Sequence, residues 1–489
     1  GHVRVFAASG LTIAQTGSTD GSGNLLTTEA GSTSTFTVVL DAKPTADVTV
    51  SITGADSTEH SLSSSSLTFT TSNWNTAQTI TVTGVDDSLD DGDITTTLTA
   101  TASNSGGYAG TETATTTLKT SDNDTAGITI AQTGSTDGSG NLLTTEAGST
   151  STFTVVLDAK PTADVTVSIT GADSTEHSLS SSSLTFTTSN WNTAQTITVT
   201  GVDDSLDDGD ITTTLTATAS NSGGYAGTET ATTTLKTSDN DTAGITIAQT
   251  GSTDGSGNLL TTEAGSTSTF TVVLDAKPTA DVTVSITGAD STEHSLSSSS
   301  LTFTTSNWNT AQTITVTGVD DSLDDGDITT TLTATASNSG GYAGSETTTT
   351  TLKTSDNDTA GITIAQTGST DGSGNLLTTE AGSTSTFTVV LDAKPTADVT
   401  VSITGADSTE HSLSSSSLTF TTSNWNTAQT ITITGANDAI VDGDITTTLT
   451  ATASNSGGYA GTETATTTVK NSDNETAGIT IAQTGTTDG

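Results

Sequence analysis

Carboxylates gather at four places in this chain and recur there at fixed spacing. In the first copy they are Glu29, Asp56, the run Asp86, Asp87, Asp90, Asp91 and Asp93, and the pair Asp122 and Asp124. Two carboxylates ~4 Å apart repel by about 4 kcal/mol at an effective dielectric near 20. If these groups converge, either their pKa values rise or a cation sits among them. Calcium suits such a set best, because it accepts several hard oxygen ligands at flexible geometry and side chains from separate loops can supply them. Magnesium, which keeps more of its waters, is the second choice. No His or Cys falls within these segments, which argues against zinc and copper. The competing explanation is that Asp forms turns and that acidic loops only solvate the protein.

Two known loop patterns fail. Set against an EF-hand loop, the stretch from Asp87 to Gly92 places Leu89 and Leu98 at ligand positions. The Gly-rich nonapeptide of calcium-binding β-rolls is also absent.

The elements that would position these acids are strands. Apolar and small polar residues alternate over 11–15, 34–41, 47–53, 66–70, 78–85, 94–102 and 111–119. Phe36, Val38 and Leu40 share one face, as do Val48, Val50 and Ile52, while threonine fills the other. Gly, Asp, Asn and Ser occupy the gaps, and no segment has a helical period. Seven short antiparallel strands predict an all-β, Ig-like two-sheet sandwich. In such a sandwich alternate loops share an end. Strand parity therefore brings nine of the 14 acids of one copy to the end that faces the next copy.

The pattern repeats every 117 residues, with Gly10, Gly127, Gly244, Gly361 and Gly478 opening successive copies. The expected organisation is a non-repeat leader or remnant at 1–9, sandwich modules at 10–126, 127–243, 244–360 and 361–477, and the first strand of a truncated fifth module at 478–489. The chain thus reads as a segment of a longer array. The seven-residue connector at 120–126 favours stacked modules over beads on a flexible string. Near-identical tandem copies suit reach, avidity or repeated binding more than catalysis, since an active site needs building once.

The formal net charge of −46 disfavours nucleic acid and anionic lipid as partners. No apolar run approaches the length needed to span a bilayer. Cysteine is absent, so no disulfide braces the modules.

Glu29-Ala-Gly before a strand, Asp86-Asp87 after one, Asp93 opening the next and the terminal Asp122-Asn-Asp124 resemble the Calx-beta domain. The resemblance covers residues 10–477, four times over. The Asn-Trp74-Asn turn and the Asp-Asn-Asp-Thr-Ala-Gly ending resemble the bacterial tandem branch, including extender regions of RTX-type adhesins. The resemblance implies a calcium-binding sandwich with ligands from Glu29, Asp56, Asp86, Asp87 and the terminal aspartates Asp122 and Asp124, to which the acidic loop adds Asp91 and Asp93. The same positions recur as Glu146, Asp173, Asp203, Asp204, Asp208, Asp210, Asp239 and Asp241, and as Glu263, Asp290, Asp320, Asp321, Asp325, Asp327, Asp356 and Asp358. In module 4 they are Glu380, Asp407, Asp438, Asp442, Asp444 and Asp473, with Asn437, Val441 and Glu475 replacing the counterparts of Asp86, Asp90 and Asp124. Fewer or weaker ions are expected there.

Other signals are weaker. Glu59-His60-Ser61 joins an acid, an imidazole and a hydroxyl, but neighbours on a strand point apart, so no triad and no enzyme is expected. Trp74 is expected to cap the core, although it could instead stack on a sugar. The Thr95–97 and Thr115–117 runs are ordinary strand filler. The functional expectation is a calcium-rigidified extender of a large extracellular bacterial surface adhesin. Its partners would be calcium ions and neighbouring modules. The alternative is a self-assembling filament or matrix protein formed by strand exchange, in which the lone strand at 479–483 pairs with another chain.

Overall fold

The alternation written into Thr33–Leu40 becomes a strand that buries Phe36, Val38 and Leu40 and leaves its threonines half-exposed. The structure is a computed structural model and describes residues 8–485. In the first module the strands are β1 (Leu11–Gln15), β2 (Leu25–Thr28), β3 (Thr33–Leu40), β4 (Val48–Thr53), β5 (His60–Leu62), β6 (Ser66–Phe69), β7 (Gln78–Gly84), β8 (Ile94–Ala102) and β9 (Thr113–Ser121). They form a four-stranded sheet ordered β1-β3-β7-β5 and a five-stranded sheet ordered β2-β9-β8-β4-β6. The core draws on both: Phe36, Ile80 and Val82 from the first meet Val50, Phe69, Leu98 and Leu118 from the second. Trp74 is partly buried and packs against this core, as expected of a cap.

All seven expected strands are present. Two more, β2 and β5, bring the module to nine, and one pairing departs from an antiparallel sandwich. β2 runs parallel to β9, with Leu25 opposite Leu118 and Thr28 opposite Ser121. The same strand order recurs in the other three copies.

The chain divides into two compact units, Gly1–Asn240 and Asp241–Gly489. The first holds the core described above and a second running from Ile128 to Leu235. The other unit holds cores from Ile245 to Leu352 and from Ile362 to Val469. Within the first unit, the β7–β8 loop of one module reaches the next. The Ala126 N–H donates to Asp90 Oδ2 at 2.7 Å and the Lys160 N–H to the Ser88 carbonyl at 2.7 Å. The second unit repeats both bonds, from Ala360 to Asp324 and from Lys394 to Ser322, each at 2.7 Å.

The lone strand expected at 479–483 does not form. Residues 473–485 are irregular, and Ile479 and Ile481 are 93% and 89% exposed. In the other copies this strand is held by the third strand of its own module, as Leu11 is by Leu40. The expected leader at 1–9 and the end of the fifth copy lie largely outside the described residues. Among the described residues no helix is long and apolar enough to cross a membrane.

Candidate metal centre

The parallel pairing of β2 with β9 delivers the first carboxylate. It continues one step past the strands, where the Glu29 N–H donates to the Ser121 carbonyl at 3.1 Å. Glu29 therefore lies beside the chain that carries Asp122 and Asp124. A second ladder delivers another acid. β5 pairs with β7, His60 opposite Gly84, and the Val85 N–H donates to the Glu59 carbonyl at 2.9 Å. Glu59 is thereby fixed next to the start of the Asp86–Asp87 loop. Gly84 lies where these paths cross. A Cβ there would collide with the Thr28 carbonyl, so the close approach of β7 to the end of β2 requires glycine.

The result is two groups of carboxylates that share one member. Oxygens of Glu29, Glu59 and Asp91 all lie within 4.8 Å of one another, and so do those of Glu29, Asp122 and Asp124. At that separation each ionised pair repels by about 3 kcal/mol at an effective dielectric near 20. Glu29 and Glu59 are only 1% and 3% exposed. Glu29 Oε2, Glu59 Oε2 and Asp124 Oδ2 are buried with no hydrogen-bond partner. Buried polar atoms are almost always satisfied, so the orphaned oxygens of these two groups call for a proton or a cation.

Electrostatics agree. Burial, followed by the charge of Asp122, pushes Glu29 up to about 7. Burial and Asp91 raise Glu59, burial and Asp87 raise Asp91, and burial and Asp122 raise Asp124. Asp87 adds to the field on all four. Modules 2 and 3 repeat the grouping: Glu146, Glu176 and Asp208 form one group, and Glu263, Asp356 and Asp358 another, although here Glu146 and Glu263 Oε2 accept from the Asn240 and Asn357 N–H at 3.3 and 3.4 Å. Burial raises Glu146 and Glu263 to about 7 as well.

Five expected ligands have other partners. Asp87 Oδ1 accepts from the Leu89 N–H at 2.7 Å, and Asp122 Oδ2 and Oδ1 accept from the Gly92 and Asp124 N–H, each at 2.8 Å. Asp93 Oδ2 pairs with Lys119 Nζ at 2.6 Å while its Oδ1 accepts from the Asp122 N–H, and the first contact holds its pKa down. Asp210, Asp327 and Asp444 make the same ion pair with Lys236, Lys353 and Lys470. Asp56 accepts from the Thr58 hydroxyl at 2.7 Å and from its N–H, closing its own turn, as do Asp173, Asp290 and Asp407 with theirs. Asp86 accepts from the Asn123 side chain at 3.1 Å.

Glu59 was not expected. Its position beside His60 and Ser61 drew attention to a triad, but Glu59 and His60 are buried while Ser61 is exposed, and Glu59 faces the acidic cluster instead. Its distance in sequence from Asp56, only one turn, was the available signal.

Module 4 differs around the same frame. Asn474 donates to Asn437 Oδ1 at 2.7 Å where other modules use an aspartate. Val441, 52% exposed, replaces the aspartate that tethers the connector. Glu475 meets Glu380, which pushes Glu475 up to about 7. Asn471 stands at the position of Thr120, Thr237 and Thr354.

No protein-family model and no curated protein matches the chain. Solved structures of similar architecture include a protocadherin gammaB7 EC3-6 cis-dimer, at 15% identity and a TM-score of 0.33, covering 90% of this chain and 95% of that one. Mouse cadherin-23 EC22-24 is 10% identical at a TM-score of 0.27, covering 71% and 99%. The calcium binding domain CBD12 of CALX1.1 is 17% identical at a TM-score of 0.20, covering 43% and 80%.

Proposed function

We propose that the chain is a calcium-stiffened extender, an array of sandwich modules that holds another domain away from a bacterial surface. The observation that carries this reading is the pair of carboxylate groups joined through Glu29, with three buried oxygens left without partners. One calcium would sit among Glu29, Glu59 and Asp91, and another among Glu29, Asp122 and Asp124, with the charge of Asp87 acting on both groups. Calcium fits because every converging donor is a hard oxygen. Glu146 with Glu176 and Asp208, and Glu263 with Asp356 and Asp358, would act likewise.

The mechanical role follows from what shares the loop. Asp87 and Asp91 flank Asp90, which ties the connector through Ala126. An ion that orders this loop also orders the connector. It stabilises the folded module by mass action as well. The large negative charge suits a solvated strut. In small-angle scattering and thermal melts, chelation is expected to lower the melting temperature and broaden the distance distribution. Unchanged curves in both would reject the proposal.

Exposed Ile479 and Ile481 support a second reading, in which chains join by donating this segment to a neighbour's sheet edge. Fibres in electron micrographs of the pure chain would favour it; isolated particles would count against it.

A further inference from the structure

We infer that Asn471 is a built-in substitute for the first cation of module 4, so that the buried carboxyl of Glu410 is satisfied by an amide hydrogen bond rather than by calcium. This rests on the calcium reading of modules 1–3 and concerns one residue that the acidic pattern does not include.

Module 4 retains every carboxylate of the first group: Glu380, Glu410 and Asp442 stand where Glu29, Glu59 and Asp91 do, and Asp438 where Asp87 does. On acid count alone this group should work as in the other modules. The difference lies behind it, on the last strand. In modules 1–3 that position is a buried threonine whose hydroxyl bonds only its neighbour on the second strand, Thr27 with Thr120 at 3.0 Å and likewise Thr144 with Thr237 and Thr261 with Thr354. Glu59, Glu176 and Glu293 each keep an orphaned Oε2.

Asn471, 1% exposed, keeps the older contact by accepting from Thr378 Oγ1 at 3.0 Å. Its longer arm also reaches Glu410. Asn471 Nδ2 donates to the Glu410 carbonyl at 2.8 Å, to Glu410 Oε2 at 3.3 Å and to the Ala436 carbonyl at 3.4 Å. Glu410 Oε2 accordingly is not among the orphaned atoms. The amide cannot flip to offer its oxygen to a cation, because two backbone carbonyls, which only accept, fix the NH2 on that side. A cation entering between Glu380, Glu410 and Asp442 would have to displace a buried donor that already serves the carboxylate, and would leave that donor facing positive charge.

The test is the number of calcium ions bound by the full chain in equilibrium dialysis with radioactive calcium, for the wild type, Asn471→Thr and Thr120→Asn. The expected result is one more ion for Asn471→Thr and one fewer for Thr120→Asn, with far-ultraviolet circular dichroism unchanged in both, since each variant installs a residue the fold already uses at that position. If the wild type binds calcium and either variant leaves the count unchanged, Asn471 is only a packing residue and the inference falls while the extender reading stands. If the wild type binds none, both fall.

Discussion

Without a cation, Glu29, Glu146 and Glu263 should make the stability of this chain fall as pH rises. Each sits near 7 in the folded module against an ordinary value of 4.5, with burial as the main cause. A carboxyl whose value is raised by folding favours the protonated folded state. Its stabilising contribution is present below about 4.5 and lost as pH climbs through about 7. A shift of this size corresponds to about 3 kcal/mol per module. For a domain of this length that is on the order of 10 °C in melting temperature. Glu112 behaves oppositely: N–H donors, led by that of Ala109, hold it at about 2, so its contribution disappears only in strong acid. The buried imidazoles of His60, His177, His294 and His411, held below their usual 6.5 by burial, act in the opposite sense and add stability as pH rises to about 6.5, so the carboxyl effect stands alone above that pH. The assay is a series of calorimetric melts of the chelator-treated chain between pH 4.5 and 8, repeated in millimolar calcium. The metal-free melting temperature should drop between pH 6.5 and 8, where the histidines are past their ordinary value of 6.5. Calcium should abolish the drop, because it binds the ionised carboxylates and replaces the proton. A metal-free profile that is flat or rises between pH 6.5 and 8 would refute the reasoning.

Gly84→Ala should destabilise module 1 by more than about 2 kcal/mol, since the new Cβ meets the Thr28 carbonyl, and should weaken calcium binding by displacing Glu29; denaturant melts and calcium titration read the two effects. Asp90→Val copies the module 4 residue and removes the acceptor for Ala126. Limited proteolysis should then cut faster within residues 122–127, with module melting little changed. Lys119→Met removes a partly exposed ion pair with Asp93; it should leave the melting temperature close to wild type and the calcium count unaltered.

How far the sequence reached is clearest strand by strand. The seven alternating runs were legible because a half-buried strand imposes a period of two. β2 and β5 were not. Leu25–Thr28 has four residues, no polar alternation of its own and a parallel partner more than ninety positions away, and His60–Leu62 is shorter still. Those two strands position Glu29 and Glu59, so the geometry of the candidate site depended on the elements hardest to see. Asp91, Asp122 and Asp124 do come together around Glu29, but composition could not tell an aspartate that closes its own turn, such as Asp56, or one that faces a lysine, such as Asp93, from one left with an orphaned oxygen. Asn471 was invisible for a related reason: a threonine-to-asparagine change on a strand acquires meaning only when the distance from its amide to Glu410 is known.

The most direct test of the central claim is a crystal structure of the chain grown in calcium, with anomalous data to identify the ions. The account predicts one peak enclosed by Glu29, Glu59 and Asp91 and another by Glu29, Asp122 and Asp124, with ligand oxygens at about 2.3–2.6 Å. Water alone at both positions, with these carboxyls paired to each other through protons, would contradict it.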